Sequence, residues 1–112
     1  MFYQFSQNNS GGSFDFDKFN GITIYVIIEA DSADEANSIA ESIGIYFNGC
    51  NDGIDCGCCG DRWSSQWRDD NGDSEPCVYS TPVAQVDPHW ASDKGNQSVC
   101  VHYKDGRKEW FA

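Results

Sequence analysis

Basic side chains are scarce in this sequence. Its 112 residues carry 7 Lys and Arg against 18 Asp and Glu, a formal charge of −11. So negative a chain repels nucleic acid phosphates instead of neutralising them, which argues against direct DNA or RNA binding and fits a basic partner or none. The shortage is uneven: residues 1–48 hold seven acids and one base, residues 49–93 nine and two, residues 94–112 two and four, giving −6, −7 and +2. An acidic body with a mildly basic end fits nucleic acid mimicry toward a basic protein; the simpler reading is a well-solvated surface.

Long apolar runs are also missing, so no membrane span is expected. Met1-Phe2-Tyr3-Gln4-Phe5 lacks the basic start and apolar run of a secretion signal, and the expected location is the cytoplasm. In that reducing compartment six cysteines read as thiols or metal ligands more readily than as disulfides, which stay open should a leader precede the chain. Asn8-Asn9-Ser10-Gly11-Gly12 lacks the Lys-Ser/Thr ending of a phosphate loop and reads as a turn. Only two histidines are present, His89 and His102, and no pattern places either beside a cysteine. No catalytic constellation stands out, and a non-enzymatic protein is expected.

At this length a single domain, 1–112, with one modest core is expected. Phe2 to Phe5 is aromatic-rich and strand-like, and Phe14 with Phe16 repeats the alternation as a second strand. Ile22 to Ile28, I-T-I-Y-V-I-I, is apolar on both faces, as a central strand covered on two sides would be. Ser32 and Glu35 have capping-box spacing, so a helix starts at Ala33. Ala33, Ala36, Ile39, Ala40 and Ile43 form its buried stripe, and Gly44 stops it. Ile45-Tyr46-Phe47 then completes a β-α-β unit. At the other end Asp105-Gly106 predicts a two-residue hairpin pairing Tyr103 with Lys108, His102 with Glu109, Val101 with Trp110 and Cys100 with Phe111. The expected fold is α+β: a mainly antiparallel sheet, one principal helix on one face, and a long Cys-rich loop.

Four of the six cysteines fall in Cys50 to Trp63, C-N-D-G-I-D-C-G-C-C-G-D-R-W. Cys56 and Cys59 have C-x2-C spacing beside glycines that let backbone amides turn toward a metal-bound sulfur. Neither a second C-x2-C nor an H-x3-H exists to complete the site. Cys50, Cys56, Cys58 and Cys59 are the expected ligands of a structural zinc, with Cys77, Cys100, His89 and His102 as the remaining donors. Asp52, Asp55 and Asp61 crowd these thiols and oppose the low pKa that redox chemistry needs. From Gly49 to Asp93 no helical or strand period is sustained, and so long an irregular stretch needs something to tie it down. Its tryptophans either fold back on the core or act as binding anchors. Asp61, Arg62, Trp63 and Trp67 are the candidate binding residues; a cleft of tryptophans with Arg62 and Arg68 would suit a nucleotide.

Y-V-I-I-E-A-D-S-A-D-E-A-N, I-G-I-Y-F-N-G, D-C-G-C-C-G-D-R-W and the closing H-Y-K-D-G-R-K-E-W-F together resemble a family of short uncharacterised proteins of tailed bacteriophages. The most specific element is the D-C-x-C-C-G-D-R-W core, and residues 64–97 lie outside the likeness. That resemblance implies a phage origin, hence the host cell cytosol, and no assigned activity. Two functions are expected: binding and blocking a host protein, such as a defence or nucleic-acid-handling factor, through the acidic face, or sequestering a nucleotide signal in a pocket of tryptophans and arginines.

Overall fold

A computed structural model describes residues 1–8, 14–55, 60–90 and 97–112. The architecture is α+β. Strands β1 (Phe2–Ser6), β2 (Tyr25–Glu29), β5 (Val99–His102) and β6 (Lys108–Phe111) form a sheet in the order β1-β2-β5-β6. The outer pairs are antiparallel and the central β2–β5 pair is parallel. Helix α1 (Ala33–Ser42) covers one face; a small hairpin of β3 (Cys77–Val78) and β4 (Thr81–Pro82) lies on the other.

The burial of the sheet on both faces follows from the alternation of its apolar side chains. Val26 and Ile28 join Tyr3, Phe5, the three buried alanines of α1, Ile45 and Trp63 in one cluster. Ile27 points the other way, into a cluster with Val78, Val83, Val99 and Val101. β2 is thus buried on both faces, which its uninterrupted apolar run requires. It is nevertheless shorter than Ile22 to Ile28: ladder pairing starts at Tyr25, and Ile22 to Ile24 is a buried lead-in.

The N-terminus of α1 is capped as its sequence predicts, Ser32 Oγ accepting from the Glu35 N–H at 3.1 Å. The Glu35 carboxylate reaches back to the Asp31 N–H, one residue beyond the usual partner, at 3.1 Å. Gly44 ends the helix with φ +109°, and the Ile45 N–H donates to the Ala40 carbonyl at 3.0 Å.

Four local expectations are corrected. Phe14 to Phe16 is not a strand, because the Gln7 amide takes both backbone groups of Asp15: Nε2 donates to its carbonyl at 2.7 Å and Oε1 accepts its N–H at 2.8 Å. Ile45 to Phe47 is not a strand either. It tucks beneath the helix, with Ile45 buried and Phe47 stacked on Phe5 at 6.0 Å. The strand that completes the β-α-β crossover is β5, far along the chain. Lastly, the C-terminal hairpin is slipped by one residue: Tyr103 N–H bonds to the Arg107 carbonyl at 2.9 Å, closing a three-residue loop with Gly106 at φ +90°. Lys108 therefore faces His102, Glu109 faces Val101, and Trp110 faces Cys100. Val101 and Trp110 no longer share a face, while Cys100 and His102 still do, on the α1 side with Val26 and Ile28.

Residues 64–75 run along the outer edge of β1. Phe2 and Asp73 exchange both backbone hydrogen bonds at 2.8 Å, and Gln66 Nε2 donates to the Gln4 carbonyl. An edge strand that would otherwise offer unpaired groups to another chain is closed by its own irregular segment. Among the described residues no helix is long and apolar enough to cross a membrane.

Candidate functional site

The stretch entering and leaving the cysteine segment is held by carboxylates. Asp55 is the centre: its side chain is 1% exposed, accepts the Tyr46 hydroxyl at 2.8 Å and the Arg62 N–H at 2.8 Å, and lies 3.9 Å from Arg62 Nε. Arg62 Nε also pairs with Asp15 at 3.2 Å, and its Nη1 donates to Gln7 Oε1 at 3.3 Å. A Cβ on Gly49 would fall 2.0 Å from Asp55 Oδ2, so only glycine fits against that carboxylate. Burial, and then the hydrogen bond to Asp55, hold the Tyr46 phenol above its ordinary pKa. Asp61 Oδ1 accepts the Cys50 N–H at 2.9 Å, and the Asn8 N–H donates to the Arg62 carbonyl at 2.7 Å. The segments on either side of residues 56–59 are thereby fixed to the strand end and to each other.

Of the expected zinc ligands, Cys56, Cys58 and Cys59 lie outside the described residues. Cys50 is half-buried. Among the described residues no group of three His, Cys, Asp or Glu side chains could hold a metal. Cys77 and Cys100 are buried thiols in separate strands. Burial pushes the Cys100 thiol up to about 12, far from a nucleophilic thiolate at neutral pH. His102 packs beside it, its Nε2 2.9 Å from the Gly21 carbonyl. A carbonyl can only accept, so Nε2 carries the proton. A Cβ on Gly21 would come within 2.7 Å of that ring and 3.0 Å of the Cys100 sulfur. Burial lowers the His102 pKa.

The four predicted binding residues divide. Trp63 is 2% exposed and belongs to the core; Arg62 is turned inward to Asp55 and Asp15. Trp67 is 78% exposed. Asp61, one edge of Trp63, and Trp67 nonetheless line one cleft of about 410 Å³ with Phe47, Asn48 and Ser64. Among the described residues no cation lines it; Arg68 points to solvent, 3.8 Å from Asp34.

Trp67 stands on pinned backbone. Asn37 of α1 makes two bonds to the main chain of Gln66, its Oδ1 accepting the N–H at 2.7 Å and its Nδ2 donating to the carbonyl at 3.1 Å. Asp70 then accepts the Trp67 N–H at 2.8 Å and returns its own N–H to the Trp67 carbonyl at 3.0 Å. Sequence reasoning missed Asn37 and Gln66. Asn37 lies on the polar side of the helix, where nothing in the pattern separates a solvated amide from a bracket.

A family described as Domain of unknown function (DUF7296) matches residues 1–112. No curated protein and no solved structure matches the chain.

Proposed function

The chain belongs to that family, whose description names no activity, and we propose that it is a small acidic, non-enzymatic protein of phage type that binds and blocks a basic host protein. The observation that carries this reading is the exposure of Trp67 at the mouth of a cleft with an acidic lining residue and, among the described residues, no cation. Large aromatics on well-ordered backbone lose little entropy on binding and supply much of an interface's energy. Asp69 and Asp70 are exposed immediately beside it, and they would steer a basic surface toward the anchor.

The same cleft suits a nucleotide less well. A phosphate would meet Asp61 and find no arginine, since Arg62 is spent on Asp55 and Asp15. A thermal-shift panel of nucleotides is therefore expected to be flat. A zinc held by Cys50, Cys56, Cys58 and Cys59 remains part of the proposal, supported by the affinity of clustered thiolates for that ion. It would add a second closure to a loop base that Asp55 and Asp61 already hold. About one zinc per chain in protein purified without added metal is expected; no metal, with Cys50, Cys56, Cys58 and Cys59 all reactive, would remove it.

The test of the main reading is capture of bacterial host proteins on the immobilised chain at low and high salt, in parallel with a Trp67→Ala chain. One basic protein is expected to be retained at low salt, to be released at roughly 0.5 M salt where exposed charges are screened, and to be lost with Trp67→Ala. Capture that ignores both salt and Trp67 would sink the proposal.

A further inference from the structure

On the sheet face opposite α1 lies a second cleft, of about 300 Å³, whose lining includes Tyr25, Val78, Tyr79, Gln85, Asp87 and His89. Its aromatic walls are steeply inclined to one another. Tyr25 meets Tyr79 at a centroid distance of 6.0 Å and an interplanar angle of 85°, and His89 at 6.0 Å and 65°. Trp90 backs His89 at 5.3 Å, which fixes the imidazole plane from outside the cleft.

Tyr79 is held there against its backbone preference. It and Ser80 form the two-residue turn between β3 and β4, both in the left-handed region at φ 47° and 70°. Such turns are the usual place for Asn and Gly, so a tyrosine and a serine carry strain. The Tyr79 N–H is taken by Gln4 Oε1 at 2.7 Å, which ties the turn to β1. Strain at this turn leaves a ring that is 71% exposed instead of packed in the core.

The chemistry of the lining selects the ligand. Aromatic faces carry the negative end of the ring quadrupole, and Asp87 adds a carboxylate. Among the described residues no Lys or Arg lines the cleft, and the chain as a whole is strongly negative. An anion would be repelled, and a neutral apolar group would make no use of Asp87. A compact cation with an apolar shell uses every wall, because its methyl groups pack on the rings while its charge is attracted to their faces. We propose that Tyr25, Tyr79 and His89, with Asp87 at the opening, form a cage for a quaternary ammonium group, carried by a free small molecule or by a trimethylated lysine. It is independent of the Trp67 cleft, which lies along the outer edge of β1 with different residues.

The experiment is an amide-resolved NMR titration of the full chain at pH 8 and constant ionic strength. The probes are tetramethylammonium, choline, trimethyl-lysine amide and 3,3-dimethylbutan-1-ol, the uncharged isostere of choline. Saturable shifts at Tyr25, Tyr79 and His89 are expected for the cations and none for the alcohol. Whichever of choline and trimethyl-lysine amide binds tighter identifies the source. Tyr79→Ala is expected to weaken binding about tenfold, whereas Tyr79→Phe keeps the ring and the affinity. Asp87→Asn should weaken it by a smaller factor. No saturable shift for any cation, equal binding of the alcohol, or an undiminished Tyr79→Ala chain overturns the proposal.

Discussion

Within seven residues the chain uses the same two side chains twice, as Arg62-Trp63 and as Trp67-Arg68, and does opposite things with them. Trp63 is 2% exposed and Trp67 78%. The Arg62 side chain is 9% exposed and the Arg68 side chain 91%. Residue type cannot account for this; surroundings can. Arg62 enters the interior because Asp55 and Asp15 are there to neutralise it and Gly49 leaves room for Asp55. Trp67 stays out because Asn37, Gln4 and Asp70 hold residues 66 and 67 by hydrogen bonds and leave the indole unused. The first pair joins the protein to itself; in the proposed function the second joins it to something else.

The sharpest way to break the comparison is to truncate the tryptophans. Trp63→Ala should lower unfolding free energy by about 4 kcal/mol, the usual cost of removing a buried indole, while Trp67→Ala should change it by less than about 0.5 kcal/mol. Urea unfolding of the two variants reads both. The arginines come next. Arg62→Met leaves the Asp55 carboxylate buried without its cation and should cost about 3 kcal/mol; Arg68→Met should be near neutral, since its ion pair is exposed. Equal losses at 62 and 68 would erase the distinction.

Alkali should act through proton donors raised by burial, and not through Trp67 or Arg68. The Cys100 thiol is raised from 9.0 to about 12 by burial, so the folded state holds its proton more tightly than the unfolded chain does. The associated stability is fully present below pH 9 and is lost as pH rises toward 12, on the order of 2 kcal/mol by about pH 11. Tyr46, also raised by burial first, adds to the same slope. Cys100→Ala should flatten the decline, and a Trp67→Ala chain should show it undiminished. The smallest effect lies in acid. Burial depresses the His102 pKa below 6.5, so its contribution is present above 6.5 and fades as pH falls through the lowered folded value. His102→Gln should remove that slope in unfolding curves measured between neutral and mildly acidic pH.

What was legible in the sequence depended on range. The cap at Ser32, the stop at Gly44 and the doubly buried run in β2 are set by neighbours within a few residues, and the sequence pattern finds them. The partner of β2 is set by a parallel pairing with β5 across an irregular stretch, and Ile45 to Phe47, closer in sequence, was the nearer choice. The C-terminal hairpin shows how little separates right from wrong: Asp105-Gly106 does mark the turn, yet Gly106 at φ +90° closes a loop one residue longer and moves Trp110 opposite Cys100. In the candidate site, Asp61, Trp63 and Trp67 line one cleft while Arg62 turns inward. Which of them face solvent was decided by Asp55, Gly49 and Asn37, residues whose roles appear only once distant segments meet.

The central claim is tested most directly by the affinity of the Trp67→Ala chain for the basic protein captured by the unaltered one, measured beside its thermal unfolding. The account predicts an unchanged midpoint of unfolding and an affinity lower by roughly 30-fold, the loss expected for a central aromatic anchor. An undiminished affinity, or a weakened one that tracks a fall in the unfolding midpoint, would contradict it.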